Sequence, residues 1–148
     1  GKPHKKIEIL FTIGEELYVK GSDVFDYSKV TAKQAYVLDL SEETTFNIGT
    51  IQGGTATNIV PDCCVLNAYE TTLESKSVTD FQKACEILGF SGELTGTFGG
   101  SDNNSFAKNG IEGLVLSNGM YNAHSTREYT TVDDLYKGAE LIGQLILL

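Results

Sequence analysis

The stretch that most restricts how this chain can fold is IEILFTIGEE, residues 7–16. Ile7, Ile9, Leu10, Phe11, Thr12 and Ile13 make a run that is apolar or β-branched apart from Glu8, and it has the length of a single strand. Such a run predicts a strand buried on both faces, the habit of parallel sheets. Gly14 then permits a sharp turn, and Glu15 and Glu16 follow side by side. Like charges at the exit of a buried strand cost free energy unless a cation or a shared proton offsets them. In open α/β sheets, sites form beyond the carboxyl ends of the strands. Gly14-Glu15-Glu16 is therefore a candidate metal or acid–base site. The plain alternative is a surface turn that carries two glutamates.

A second buried strand is predicted at Ala35–Leu40, AYVLDL, and it also delivers an acid, Asp39, to its end. Between the two runs lies a short helix around Ser22–Tyr27, with Ser22 as candidate N-cap. The middle of the chain changes character. FNIGTI from Phe46, the Gly53-Gly54 turn, the Pro61-Asp62 turn and a strand at Cys63–Thr72 alternate polar and apolar residues, the pattern of an antiparallel unit. Ser77–Leu88 predicts an amphipathic helix with Val78, Phe81, Ala84, Cys85 and Leu88 on one face. Ser77 with Asp80 opens it and Gly89 closes it. Cys85 on that face is a core residue in the simplest reading. A short strand at Glu93–Phe98, a polar turn over residues 99–104, a buried strand at Gly113–Ser117 and a loop holding His124 come next. The closing helix, Thr131–Leu148, is capped by Thr131 and carries Leu135, Ala139, Ile142, Leu145 and Ile146 as its apolar stripe. The order predicts an α/β class, with residues 1–41 and 77–148 forming one unit around a small β-rich insert at 42–76.

The totals limit the partners. The chain has 148 residues, enough for one compact domain. A net charge of −9 with only 11 basic residues leaves no phosphate-neutralising face, so no nucleic-acid partner is expected. Three cysteines without a CxxC pair suggest neither a disulfide framework nor a cysteine zinc site, and they favour a reducing compartment. No apolar run has the length of a membrane span and no signal peptide opens the chain, so a cytoplasmic location away from membranes is expected.

The polar residues at strand ends, or in loops after strands, are Glu15, Glu16, Asp39, Asp102 and His124. Carboxylates with one histidine suit a hard-to-borderline divalent ion, zinc or manganese. One of two adjacent glutamates could bind the ion while its neighbour handles a water proton. In the plain reading His124 is simply an exposed loop residue. Other chemistries are weaker: Ser101-Asp102 has no GxSxG context, and Gly53-Gly54-Thr55 lacks the lysine of a phosphate loop. Asn47, Asn58, Asn103 and Asn104 could orient a polar substrate, although asparagine in turns is usually structural.

These segments resemble the M20 metallopeptidases. FTIGEELYVKGS is similar to a family strand that ends in Gly-Glu-Glu, and YVLDLS to the following strand that ends in a metal-binding acid. NIGTIQGGTATNIVPD resembles the inserted lid domain, and FGGSDNNSFAKNGIEGLVLSNGMYNAHSTREYTTVDDL the C-terminal segment with its Gly-Ser-Asp turn and metal-binding histidine. The peptidase-T-like, tripeptide aminopeptidase branch is the most similar. The resemblance implies a zinc-exopeptidase-like (phosphorylase/hydrolase-like) sheet flanked by helices, with a remnant of the lid at 42–76. It implies two zinc ions per full-length site. Glu15 would be the general base that takes a proton from the attacking water. Glu16 and His124 would bind one zinc and Asp39 the other. Asn58, Gly100, Ser101 and Asp102 would line the substrate site.

Three departures qualify that likeness. The family's upstream His-x-Asp and its metal-bridging Asp have no counterpart here. The link Ser41–Thr45 stands where the family carries much of its lid, and Thr71 stands where a lid arginine is expected. The chain thus reads as incomplete, or as a naturally reduced relative. The expected function is a metal-dependent exopeptidase acting on small peptides, with an N-acyl amino-acid deacylase of the same fold, or an inactive interaction module, as alternatives. Taken alone, these residues are expected to bind zinc weakly at most and to show no turnover. A homodimer through the lid is expected of the full-length form.

Overall fold

The computed structural model describes residues 2–41, 52–53, 64–65, 74–95 and 100–148. After an extended lead-in, the chain makes a 3-10 turn at Glu15–Leu17 and a one-turn helix α1 at Lys20–Asp23. Strand β1 runs over Gln34–Ser41. Two short strands, β2 at Gln52–Gly53 and β3 at Cys64–Val65, pair antiparallel. Helix α2 spans Lys76–Leu88, α3 Asp102–Lys108, β4 Glu112–Met120 and α4 Val132–Leu147.

The centre is a parallel pair. β1 and β4 run together from Gln34 opposite Glu112 to Leu38 opposite Leu116, with irregular register beyond. Parallel neighbours need a crossover, and here it passes through α2 and α3. Leu114 and Leu116 of β4 and Tyr36 of β1 pack against Ala84 and Cys85 of α2 and Leu141 and Leu145 of α4. Helix α3 lies on the opposite face. There the Asn103 side chain occupies the space that a Cβ on Gly113 would need, so a side chain at 113 would displace it. Phe25, Tyr27 and Phe106 close this second layer edge-to-face, with centroids 5.2 and 5.9 Å apart.

The helix ends follow their local chemistry. Ser75 caps α2, its hydroxyl accepting the Val78 N–H at 3.3 Å, and Gly89 ends the helix in the left-handed conformation. The cap is Ser75, not Ser77. Ser77 is fully buried, and its N–H and hydroxyl both donate to Glu112 Oε1 at 2.8 Å, tying α2 to β4. Thr131 caps α4 as expected, its hydroxyl accepting the Asp134 N–H at 3.1 Å.

Further expectations need correction. Ile7–Ile13 is extended, but among the described residues no backbone hydrogen bond joins it to a strand. Leu10 and Thr12 turn inward, where Thr12 reaches Asp102, while the exposed Glu8 accepts the Thr31 and Ala32 N–H groups at 2.9 and 3.0 Å. Its odd positions turn out, leaving Ile9 at 77%, Phe11 at 91% and Ile13 at 81% exposure. A two-sided apolar run buries both faces only where both faces meet a neighbour, and here one does. Ser22 is not a cap but lies inside α1, fully buried, its hydroxyl bonded to Val19 O and Ser105 Oγ. In α4 the core face is Leu141 and Leu145, with Leu135 exposed. The expected strands at 46–51 and 96–98 fall outside the described residues, while Glu93–Thr95 are irregular. No described helix is long and apolar enough to cross a membrane.

Candidate active site

The turn after the extended run is tightly built. Gly14 sits at φ +69°, and its carbonyl accepts the N–H groups of Leu17 and Lys20, both at 3.2 Å. Tyr18 and Val19 both have positive φ, 64° and 51°. Left-handed conformations are unfavourable for such residues and cluster at functional turns. The result holds Glu15 and Glu16 in one 3-10 turn beside the carboxyl end of β1.

Glu16 meets the loop after β4: its Oε1 lies 3.2 Å from His124 Nε2, with both side chains largely exposed. Burial raises the proton affinity of the Glu15 carboxyl, and the negative charges of Asp39, Glu16 and Asp102 raise it further, while His124 opposes them. Asp39, half-buried on β1, is shifted upward in the same way, first by burial and then by Asp102 and Glu16, again with His124 opposing. The structure thus gathers Glu15, Glu16, Asp39, Asp102 and His124 into one acidic neighbourhood with a single imidazole.

Asp102 opens α3 and is buried. Its Oδ2 accepts the Thr12 hydroxyl proton, and its Oδ1 has no protein partner among the described residues. Ser101 is buried as the cap of α3, accepting the Asn103 N–H at 3.2 Å. Gly100 is exposed. Asn58 lies outside the described residues. Sequence reasoning missed Thr12, whose hydroxyl fixes Asp102, and Glu128, whose Oε2 accepts the His124 N–H at 2.9 Å. The spacing His-x-x-x-Glu was the signal for the second; nothing in the sequence marked the first.

The donor set is right in kind for zinc or manganese: carboxylates and one imidazole. It is not right in number. Among the described residues no group of three or more His, Cys, Asp or Glu side chains is placed to hold a metal ion. Glu16 with His124 makes a pair, and the charge of Asp39 is felt alongside it.

Two solved structures, an aminopeptidase and a tripeptidase, share the fold of this chain. The chain superposes on aminopeptidase PepT of Bacillus cereus with a TM-score of 0.78 at 22% identity, covering 99% of this chain and 65% of that one. A tripeptidase of Staphylococcus aureus gives the same TM-score, 0.78, at 19% identity and the same coverages, 99% and 65%. At these identities the likeness establishes a shared α/β fold. In sequence, YqjE of Bacillus subtilis, itself uncharacterised, is 23% identical over 239 residues, covering 97% of this chain and 64% of YqjE. That alignment is longer than the 148 residues of the chain, so YqjE has internal segments without counterpart here. The chain spans less than two thirds of the length of each of these proteins. The family model for the peptidase dimerisation domain of the M20 peptidases matches residues 10–88, from within the extended run to the last turn of α2. With more than half of its length inside that match, the chain belongs to the M20 peptidase dimerisation-domain family.

Proposed function

We propose that this chain is the portion of an M20-type exopeptidase, tripeptidase-like, that carries the proton acceptor and part of the zinc ligands. The observation that carries the reading is the Glu16–His124 pair, 3.2 Å apart, beside Glu15 in a neighbourhood of acids that raise its proton affinity. A carboxylate with raised proton affinity suits general-base work, because it takes up a water proton more readily than an ordinary one. Glu16 and His124 would hold one zinc and Asp39 a second. The set in this chain is partial, so its own residues are not assigned a hydrolytic step. Zinc would supply charge to offset the acids and to polarise a scissile carbonyl. Asp102 and Ser101 would shape the substrate side of the site, with Gly100 and Asn58. The match to the dimerisation-domain model supports a homodimer of the longer protein; on this reading its substrate is a small peptide.

The test is hydrolysis by the longer protein. We expect cleavage of tripeptides, loss of cleavage on chelation and recovery with zinc. The chain of 148 residues by itself is expected to show none. Cleavage of N-acyl amino acids alone would replace the peptidase reading with a deacylase. Turnover by the short chain would overturn the argument from missing ligands.

A further inference from the structure

The backbone at His124 has φ +63°, and at Asn122 +52°. A non-glycine residue adopts this region only when its surroundings hold it there. The loop that carries both is closed at its base. Tyr121 N–H donates to Tyr129 O at 2.9 Å, Tyr129 N–H donates back to Tyr121 O at 3.1 Å, and the rings stack at 4.9 Å. The Tyr121 hydroxyl also donates to Asp134 Oδ2, at 3.2 Å, fastening the base to the first turn of α4. Within the loop, the Ser125 hydroxyl donates to Asn122 O at 2.7 Å, and Arg127 N–H donates to Ser125 Oγ at 3.1 Å. The base and the flank are therefore secured without residue 124. At the tip, the bond that fixes His124 itself is the one from its N–H to Glu128 Oε2, at 2.9 Å.

We propose that Glu128 is a positioning residue of this site: its carboxylate accepts the His124 backbone N–H, holds residue 124 left-handed, and so keeps the imidazole on Glu16. Glu128 acts through His124 and does not touch substrate. The inference rests on reading Glu16–His124 as part of a zinc site, and it adds the residue that shapes one of the two partners. What the role demands is an acceptor oxygen at the end of a side chain of this length. A glutamine meets that demand and an alanine does not. Glu128 is exposed, so either substitution leaves the packing of the fold intact.

The experiment uses the chain as it stands, with Zn²⁺ as the probe, and compares wild type, Glu128→Gln and Glu128→Ala at matched melting temperature. Without metal, amide hydrogen exchange is read at His124. Exchange at least about tenfold faster in Glu128→Ala, with Glu128→Gln close to wild type, is expected. Zinc affinity is then read by competition with a chromophoric chelator. A loss of about tenfold in Glu128→Ala, and little loss in Glu128→Gln, is expected, the scale of losing a group that orients a ligand. Unchanged His124 exchange in Glu128→Ala overturns the proposal, as does a Glu128→Gln variant that behaves like Glu128→Ala. If the exchange pattern holds but wild type binds no zinc, the positioning of His124 by Glu128 stands, and the pair alone is too few ligands to hold the ion.

Discussion

The carbonyl of Ile13 fills the place where residue 21 would put a side chain: a Cβ on Gly21 would come within 2.2 Å of that oxygen and 2.7 Å of the Ile13 nitrogen. Both are backbone atoms, so no rotamer change relieves the contact. The approach of α1 to the end of the extended run therefore requires glycine, and it sets the start of the turn that carries Glu15 and Glu16. Gly21→Ala should destabilise the chain by about 1–3 kcal/mol, the range for overpacking a close contact. It should also part Glu16 from His124. Urea denaturation reads the first effect. Loss of nuclear Overhauser contacts between the two side chains reads the second.

A smaller change tests the anchor of Asp102. Thr12→Val keeps the shape but removes the hydroxyl that donates to Asp102 Oδ2, leaving a buried carboxylate with neither oxygen bonded among the described residues. An unsatisfied buried acceptor costs about 1–3 kcal/mol. Thr12→Ser, which retains the donor, should lose clearly less. A loss in Thr12→Ser as large as that in Thr12→Val would mean that the hydroxyl bond to Asp102 contributes no more than the methyl group does.

The acidic cluster gives a prediction with a sign. Asp39 has a raised proton affinity in the folded chain. Between the ordinary aspartate range and its raised value the folded state holds more proton than the unfolded state, so stability falls as pH rises through that window. Above that window the Asp39 carboxylate adds a charge among like charges in the folded chain. Asp39→Asn should therefore raise the melting temperature at pH 7. The gain should be about 1 kcal/mol or less, because solvent screens a half-exposed group. It should vanish once the pH is below the ordinary aspartate range, where the group is neutral in both states. On the proposed zinc reading, the same change in the longer protein should abolish peptide hydrolysis.

Glu8 behaves in the opposite sense. Lys6 holds its carboxyl down first, then Thr31 and Ala32, to about 2 from an ordinary 4.5. The stability it contributes is present above the ordinary value and is lost as pH falls towards 2. Glu8→Gln should lower the denaturation midpoint at pH 7, and the gap to wild type should close on acidification through that window. A constant gap across it would mean that the Thr31 and Ala32 bonds do not depend on the charge.

The parallel pair was legible from the sequence because AYVLDL and GLVLS are short apolar runs with room for little else. Two such runs separated by a helical pattern prescribe a crossover. The α2 core face was legible from its spacing, and the Thr131 cap from its side chain. The extended run misled because composition records that both faces can be buried, not whether both meet a neighbour. α4 offers several apolar edges, and only contact with α2 and β4 selects Leu141 and Leu145 over Leu135 and Ala139. Ser75 and Ser77 are interchangeable as caps until Glu112, thirty-five residues on, claims one of them. At the candidate site, strand-end placement pointed to Glu15, Glu16, Asp39 and His124. The grip of Glu128 on His124 left only the spacing His-x-x-x-Glu as a trace, because the bond itself depends on a backbone angle that residue types alone do not specify.

One consequence follows from the outward row of Ile7, Ile9, Phe11 and Ile13. Its peptide groups are extended and, among the described residues, bonded to no strand, so the row is a template on which a neighbouring molecule can add a strand. A net charge of −9 keeps molecules apart in dilute buffer. Salt shortens the reach of that repulsion to about 10 Å at 0.1 M and about 3 Å at 1 M. Solutions of this chain should accordingly cloud on salting, and a single lysine in place of Phe11 should keep them clear.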